Sequence, residues 1–165
     1  MMISNDINDV IFEILLHKNI NHELYVATWD ETKWITLSSG LFMIPAIYSY
    51  YNDLYFYAII LVLTTIISVN FWRHATYSWR RIIDCIFSKF VFIFSLINGI
   101  FYVTYMPFTI AGYLVLFAIL YCYYLSNKYC GNNPIWWKYH ILFHLFTVCI
   151  QFIIINGILS TVVLQ

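Results

Sequence analysis

Three histidines and one aspartate carry the chemical potential of a chain that is otherwise almost entirely apolar. His140 and His144 stand four apart in WWKYHILFH, a spacing that puts both imidazoles on one face of a helix. His74 and Asp84 bracket a short basic stretch, RHATYSWRRIID. Neutral imidazole is a favoured zinc ligand, and three protein ligands with a position left for water mark a catalytic site rather than a structural one. His74, His140 and His144 are therefore the candidate zinc ligands. Asp84 is the candidate to take a proton from an activated water or to orient a ligand. Asn70, one helical turn before His74, is the first candidate to hydrogen-bond a tetrahedral oxyanion, and Ser68 the second.

Each residue also has a plainer reading. Asp84 lies three and four residues after Arg81 and Arg80, where an interfacial ion pair would form. His74 beside Arg73 suits a headgroup contact, and Trp136, Trp137 and Tyr139 suit an interfacial aromatic belt. His17 and His22, in a polar stretch, are expected to stay solvated. What favours a shared site is the depth at which the four residues should lie.

The 165 residues are 62% hydrophobic and 10% charged, with mean hydropathy +0.77, which places the chain among integral membrane proteins. A hydrocarbon core of about 30 Å needs about 20 apolar residues per helix, and the sequence divides into five spans near 34–51, 53–73, 81–104, 107–126 and 135–160. Residues 1–33 read as a cytoplasmic segment and 34–165 as an all-α transmembrane helical bundle. Ile7, Val10, Ile11, Ile14 and Leu15 follow helical spacing after Ser4 and Asn5, as in an amphipathic helix lying on the membrane surface. Acidic Asp6, Asp9 and Glu13 argue against a signal peptide.

With five spans, Lys18, Lys33, Arg73, Arg80, Arg81, Lys128 and Lys138 fall on one face, and Lys89 can snorkel back to it. The opposite loops hold no Lys or Arg, so the basic face is expected to be cytoplasmic. His74, Asp84, His140 and His144 then share that face. Zero net charge offers no electrostatic case for nucleic acid. Cys85, Cys122, Cys130 and Cys149 show no CxxC spacing and read as small apolar-segment residues, not as disulfides or metal ligands.

The stretches SVNFWRHATYSWRRIID and WWKYHILFH resemble the CREST superfamily of membrane hydrolases, which includes alkaline ceramidases, the progestin and adiponectin receptors and GPI-remodelling proteins. That superfamily has Ser-xxx-His near the end of its second helix, an Asp near the start of the third, and HxxxH in its last. The segment HAT, with Asp84 ten residues after His74, is most similar to alkaline ceramidase, and TLSSGLFMIP is similar to the ceramidase first helix. The resemblance implies zinc held by His74, His140 and His144, a catalytic or water-positioning Asp84, and hydrolysis of a ceramide-like lipid to a sphingoid base and a fatty acid. Family register puts Asn70 where the serine belongs. Asp30 and Glu31 are only loosely similar to the ceramidase calcium site, and no calcium is assigned. Members usually have seven spans, so this chain would be a shortened version, multi-pass, of an endomembrane such as ER or Golgi, with oligomerisation open.

Three other functions compete. One is ester or GPI-lipid hydrolysis at the same metal site, and another is a receptor-like or structural membrane protein with a structural metal. The third is haem ligation, disfavoured because His140 and His144 would crowd one axial position. Tyr121, Tyr123 and Tyr124 could line a lipid entrance or anchor a helix.

Overall fold

A computed structural model describes residues 25–130 and 133–163; the surface helix expected near residues 4–15, with His17, Lys18 and His22, lies outside them. The described chain is all-α, with one isolated antiparallel bridge between Tyr25 and Thr76. Its helices are α1 (Trp29–Gly40), α2 (Met43–Tyr51), α3 (Tyr55–Trp72), α4 (Trp79–Tyr102), α5 (Met106–Tyr129) and α6 (Trp136–Val163). The last four are long and apolar enough to cross a membrane, as in a multi-pass integral membrane protein. They match the second to fifth expected spans to within a few residues at nearly every end.

The first expected span, 34–51, is not a single helix. Pro45 has no N–H to give to the carbonyl of Leu41, and its ring crowds that carbonyl. The Leu41 oxygen instead accepts from Ile44 N–H at 3.0 Å, and Leu41 N–H reaches Ser38 O at 3.1 Å, so the chain tightens at residues 41–42. The result is two short helices, α1 and α2, in close succession. Glu31 fixes the start of α1. One of its oxygens accepts from Thr28 N–H at 3.1 Å, and the other from the Trp136 indole at 3.0 Å, which ties the first turn of α1 to that of α6.

Helix α6 packs against α1, α2, α4 and α5. Helix α3 packs on α1, α2 and α4 and reaches α6 through side chains, among them Trp72 to His140 at one end and Tyr57 to Gln151 further along. Helices α4 and α5 follow each other in sequence yet do not lie side by side; each leans on α6. Half of the apolar stretch of α3 is buried, against 11% in α4 and 11% in α5, so these two present most of their surface to lipid. One apolar cluster, with Ile35, Phe71, Trp72, Ala75 and Trp136, fills the end where α3 and α5 finish and α4 and α6 begin. A second, with Ala46, Leu61, Val103, Ile154 and Ile158, fills the other.

At that second end α6 passes the C-terminus of α4 closely. A Cβ on Gly157 would lie 2.9 Å from Val103 Cγ2 and 3.0 Å from the Tyr102 carbonyl oxygen, whereas one on Gly112 would meet nothing nearer than 3.9 Å. Gly157→Ala should therefore lower stability by about 1–3 kcal/mol through overpacking against backbone. Gly112→Ala should be neutral or gain up to about 1 kcal/mol from helix propensity. Thermal unfolding in detergent, with the two variants side by side, checks the contrast.

Candidate functional site

Two helix beginnings and three helix ends bring the polar residues together. Ser38 on α1, Ser68 near the end of α3, Asp84 near the start of α4, Ser126 near the end of α5, and His140 and His144 on the first turns of α6 all belong to one end of the bundle. Lys33, Arg73, Arg80, Arg81, Lys128 and Lys138 sit at the same helix termini. Several of these cations lie over aromatic rings, including Arg81 over Tyr77 at 4.6 Å and Lys138 over Trp137 at 5.6 Å, as in an interfacial belt.

His140 and His144 form the centre. Their ring centroids are 4.7 Å apart, and the rings are inclined at 74°. Aromatic rings wall them in: Trp72 at 4.6 Å from His140, and Phe42 at 5.4 Å from His144. Each imidazole has its Nδ1 held by a serine from another helix, Ser126 Oγ at 2.9 Å for His140 and Ser38 Oγ at 2.8 Å for His144. Ser38 Oγ also lies 2.9 Å from the carbonyl oxygen of Ile35. A hydroxyl has one hydrogen, and a carbonyl only accepts, so both contacts are satisfied when Ser38 donates to Ile35 and His144 Nδ1–H donates to Ser38. His144 Nε2 then carries a lone pair. An imidazole secured in this way through Nδ1 is prepared to act as a metal ligand or a base through Nε2.

Asp84 is buried and turned inward. Neither Arg80 nor Arg81 forms an ion pair with it, the Ser68 hydroxyl being the polar group that approaches it from α3, and the single ion pair among the described residues is Lys33–Asp30 at 2.8 Å. The interfacial pairing open to Asp84 in the sequence is therefore not the one formed. Ser68 is buried as well, and its Oγ lies 3.3 Å from Ser39 Oγ, so the aspartate and histidine halves of the cluster meet at the Ser38–Ser39 pair.

The other sequence candidates fall differently. His74 follows α3 in an exposed turn with its ring edge-on to Tyr25 at 5.5 Å, and it is not brought to the histidine pair. The turn is pinned by Val26 N–H donating to Ala75 O at 2.7 Å and by the Tyr25–Thr76 bridge. Among the described residues no three His, Cys, Asp or Glu side chains approach closely enough to share a metal ion. Asn70 is half-buried and does not line the cavity that Ser68 borders. Tyr121, Tyr123 and Tyr124 are exposed, with the Tyr123 ring leaning on Phe143 of α6 at 5.6 Å, and all three lie outside the cavity lining. Of the cysteines, all free, only Cys122 is fully buried.

A cavity of about 180 Å³ runs from this cluster into the bundle, between α3, α4, α5 and α6. His144, Ser68 and Thr64 border its polar end, and its walls are mainly apolar, with Leu96, Leu116 and Ile153 among them. Because α4 and α5 do not pack together, the cavity follows the gap between them.

No family model, curated protein or solved structure matches the chain.

Sequence reasoning passed over Ser38 and Ser126 as partners of the histidines. Their signal is weak: a serine in an apolar helix usually bonds to its own backbone, and Ser38 lies 106 residues from the ring it holds. Ser38→Ala should leave His144 Nδ1 buried without a partner and cost about 1–3 kcal/mol. Thr36→Ala, on the same helix but bonded only to Thr32 O, should cost no more than about 0.5 kcal/mol. Chemical or thermal unfolding of both variants in detergent measures the difference.

Proposed function

We propose that the chain is an intramembrane lipid hydrolase that cleaves the amide of a ceramide-like lipid at the cytosolic end of the α3–α6 cleft. In this reading α1 and α2 together make a fifth crossing, and the basic helix termini mark the cytosolic face of an endomembrane. One observation carries the proposal. Two imidazoles fixed through Nδ1 and an inward-turned carboxylate share one buried cluster, and through His144 and Ser68 that cluster borders an apolar cavity lying along the gap between α4 and α5.

A lipid entering between α4 and α5 needs no passage through water. Its chains lie along apolar walls, and its amide comes to rest against the polar end, where His144 and Ser68 face the cavity. Ser68 borders the cavity and Asp84 does not, so a proton leaving an attacking water reaches Asp84 through the Ser68 hydroxyl. Returned to the nitrogen, the same proton lets the sphingoid amine depart and leaves a fatty acid. Phe42, Trp72 and Phe143 keep bulk water from the imidazoles.

Zinc fits the donor chemistry of the histidine pair, which supplies two ligands through Nε2. The three-nitrogen set anticipated from the sequence is not assembled, because His74 stands apart. When bound, such an ion polarises a carbonyl and lowers the pKa of water to about 7.

Purified full-length chain in lipid nanodiscs, incubated with ceramide, should release sphingoid base and fatty acid and should contain zinc. His140→Ala with His144→Ala should abolish both. Asp84→Asn should retain the metal and lose about 10²-fold or more in turnover. Cleavage of ester lipids alone would move the substrate class, and zinc content unchanged in the double variant would remove the metal assignment. Zinc retained by Asp84→Asn with no hydrolysis by the wild type of any amide or ester lipid would make the pair structural.

A further inference from the structure

We infer that Gln151, with Ser95, forms a polar station inside the cleft that recognises an oxygen carried partway along the chain of the bound lipid. The inference rests on the reading that the cleft holds a lipid, and it names which lipid.

Gln151 is 1% exposed, in the middle of a helix long enough to cross a membrane. A primary amide at that depth is costly unless its groups are paired, and polar side chains in such segments cluster at functional sites. Its carbonyl oxygen accepts from the Tyr57 hydroxyl and, at 3.4 Å, from Ser95 Oγ. Its Nε2 donates one hydrogen to Ser95 Oγ at 3.1 Å. An amide nitrogen has two hydrogens, so one donor remains. Gln151 and Ser95 both line the cavity, whereas Tyr57 stands behind them. The other hydroxyls nearby are occupied on their own helices, Thr147 with Phe143 O at 2.7 Å and Thr64 with Ile60 O at 2.8 Å. The remaining amide hydrogen of Gln151 is thus the donor offered to an occupant in the interior of the cleft.

Its depth is set by the helix. Gln151 follows His144 by seven residues, two turns along the same face of α6, which places it about 10 Å deeper than the reacting end. A simple saturated chain presents only methylenes there. A chain bearing a hydroxyl or keto oxygen at that distance from its polar end would accept from the amide, which Ser95 holds in place from one side. The ligand class is accordingly a mid-chain oxygenated lipid.

The test uses the full chain in nanodiscs and two free acids, stearic acid and its mid-chain hydroxy derivative, each displacing a fluorescent fatty acid. Wild type should bind the hydroxy acid about five-fold more tightly, the worth of one net hydrogen bond. Gln151→Leu and Ser95→Ala should reduce that preference to within about two-fold while retaining affinity for stearic acid. Tyr57→Phe, which touches the network from behind, should lower thermal stability and keep the preference. Equal affinity of wild type for the two acids, no binding of either, or loss of the preference in Tyr57→Phe to the same extent as in Gln151→Leu would each overturn the station; the last would leave the network as helix packing alone. Because free acids bind without turnover, a preserved preference in a chain that cleaves no ceramide would fail the hydrolase reading and leave the station standing.

Discussion

At membrane depth a hydrogen-bonding side chain has no water to turn to, and that constraint organises this bundle more firmly than apolar burial does. Apolar surface gives little drive between helices when lipid is as apolar as leucine. The ties that distinguish one arrangement from another are the polar ones: Ser38 to His144, Ser126 to His140, Ser68 to Asp84 and Ser39, and Tyr57 to Gln151 with Ser95. They join α1 to α6, α5 to α6, α3 to α4 and to α1, and α3 with α4 to α6. With Tyr48 of α2 donating to Asn156 Oδ1 of α6 at 2.9 Å, every helix of the bundle is held by at least one such bond. Removing a single partner would leave the other buried and unpaired, so the network constrains helix rotation as well as proximity.

The cleft is a consequence of the same ties. Helices α3 and α6 meet through long side chains, Trp72 with His140 at one end and Tyr57 with Gln151 further along, and their backbones are not closely packed. Close approach occurs instead at Gly157, against Tyr102 and Val103, and it shuts the end remote from the histidines. With α4 and α5 both leaning on α6 and not on each other, the open side of the cavity faces lipid. Polar contacts at one end and a glycine at the other therefore leave an apolar-walled space between them without any cavity-forming device in the loops.

Much of this architecture was legible in the sequence. The apolar runs and their basic, aromatic borders give α3 to α6 to within a few residues at each end, since span length and interfacial residues follow directly from the solvent. The break within residues 34–51 was missed because the run is long enough to span, and the proline that tightens it sits in an otherwise uninterrupted apolar context. The HxxxH spacing put His140 and His144 on one face, as helix geometry requires. The inward turn of Asp84 was not decidable from its neighbours, because arginines three and four residues before it offer a local partner, while Ser68 becomes a neighbour only once α3 and α4 pack. Gln151 went unnoticed for a related reason. One amide in a long apolar helix acquires meaning only from the residues of other helices that meet it.

The position of His74 shows how local chain chemistry competes with a long-range site. Helix α3 ends at Trp72, and the Trp72 ring, 6% exposed, packs against His140 and Trp136. Beyond it the backbone of residues 75 and 76 is already committed to Val26 and Tyr25. For the His74 imidazole to join the pair on α6, the chain would have to release those contacts and move the indole out of an apolar cluster, at a cost of about 1.5–3 kcal/mol for the ring alone. A bound cation can shift such an equilibrium only by the difference in its affinity for the two arrangements. Ligands to zinc supply far more than that when the site is complete, on the order of 10 kcal/mol in small structural sites. Packed inward at 6% exposure, the Trp72 indole is the group that α3 presents to the histidine pair.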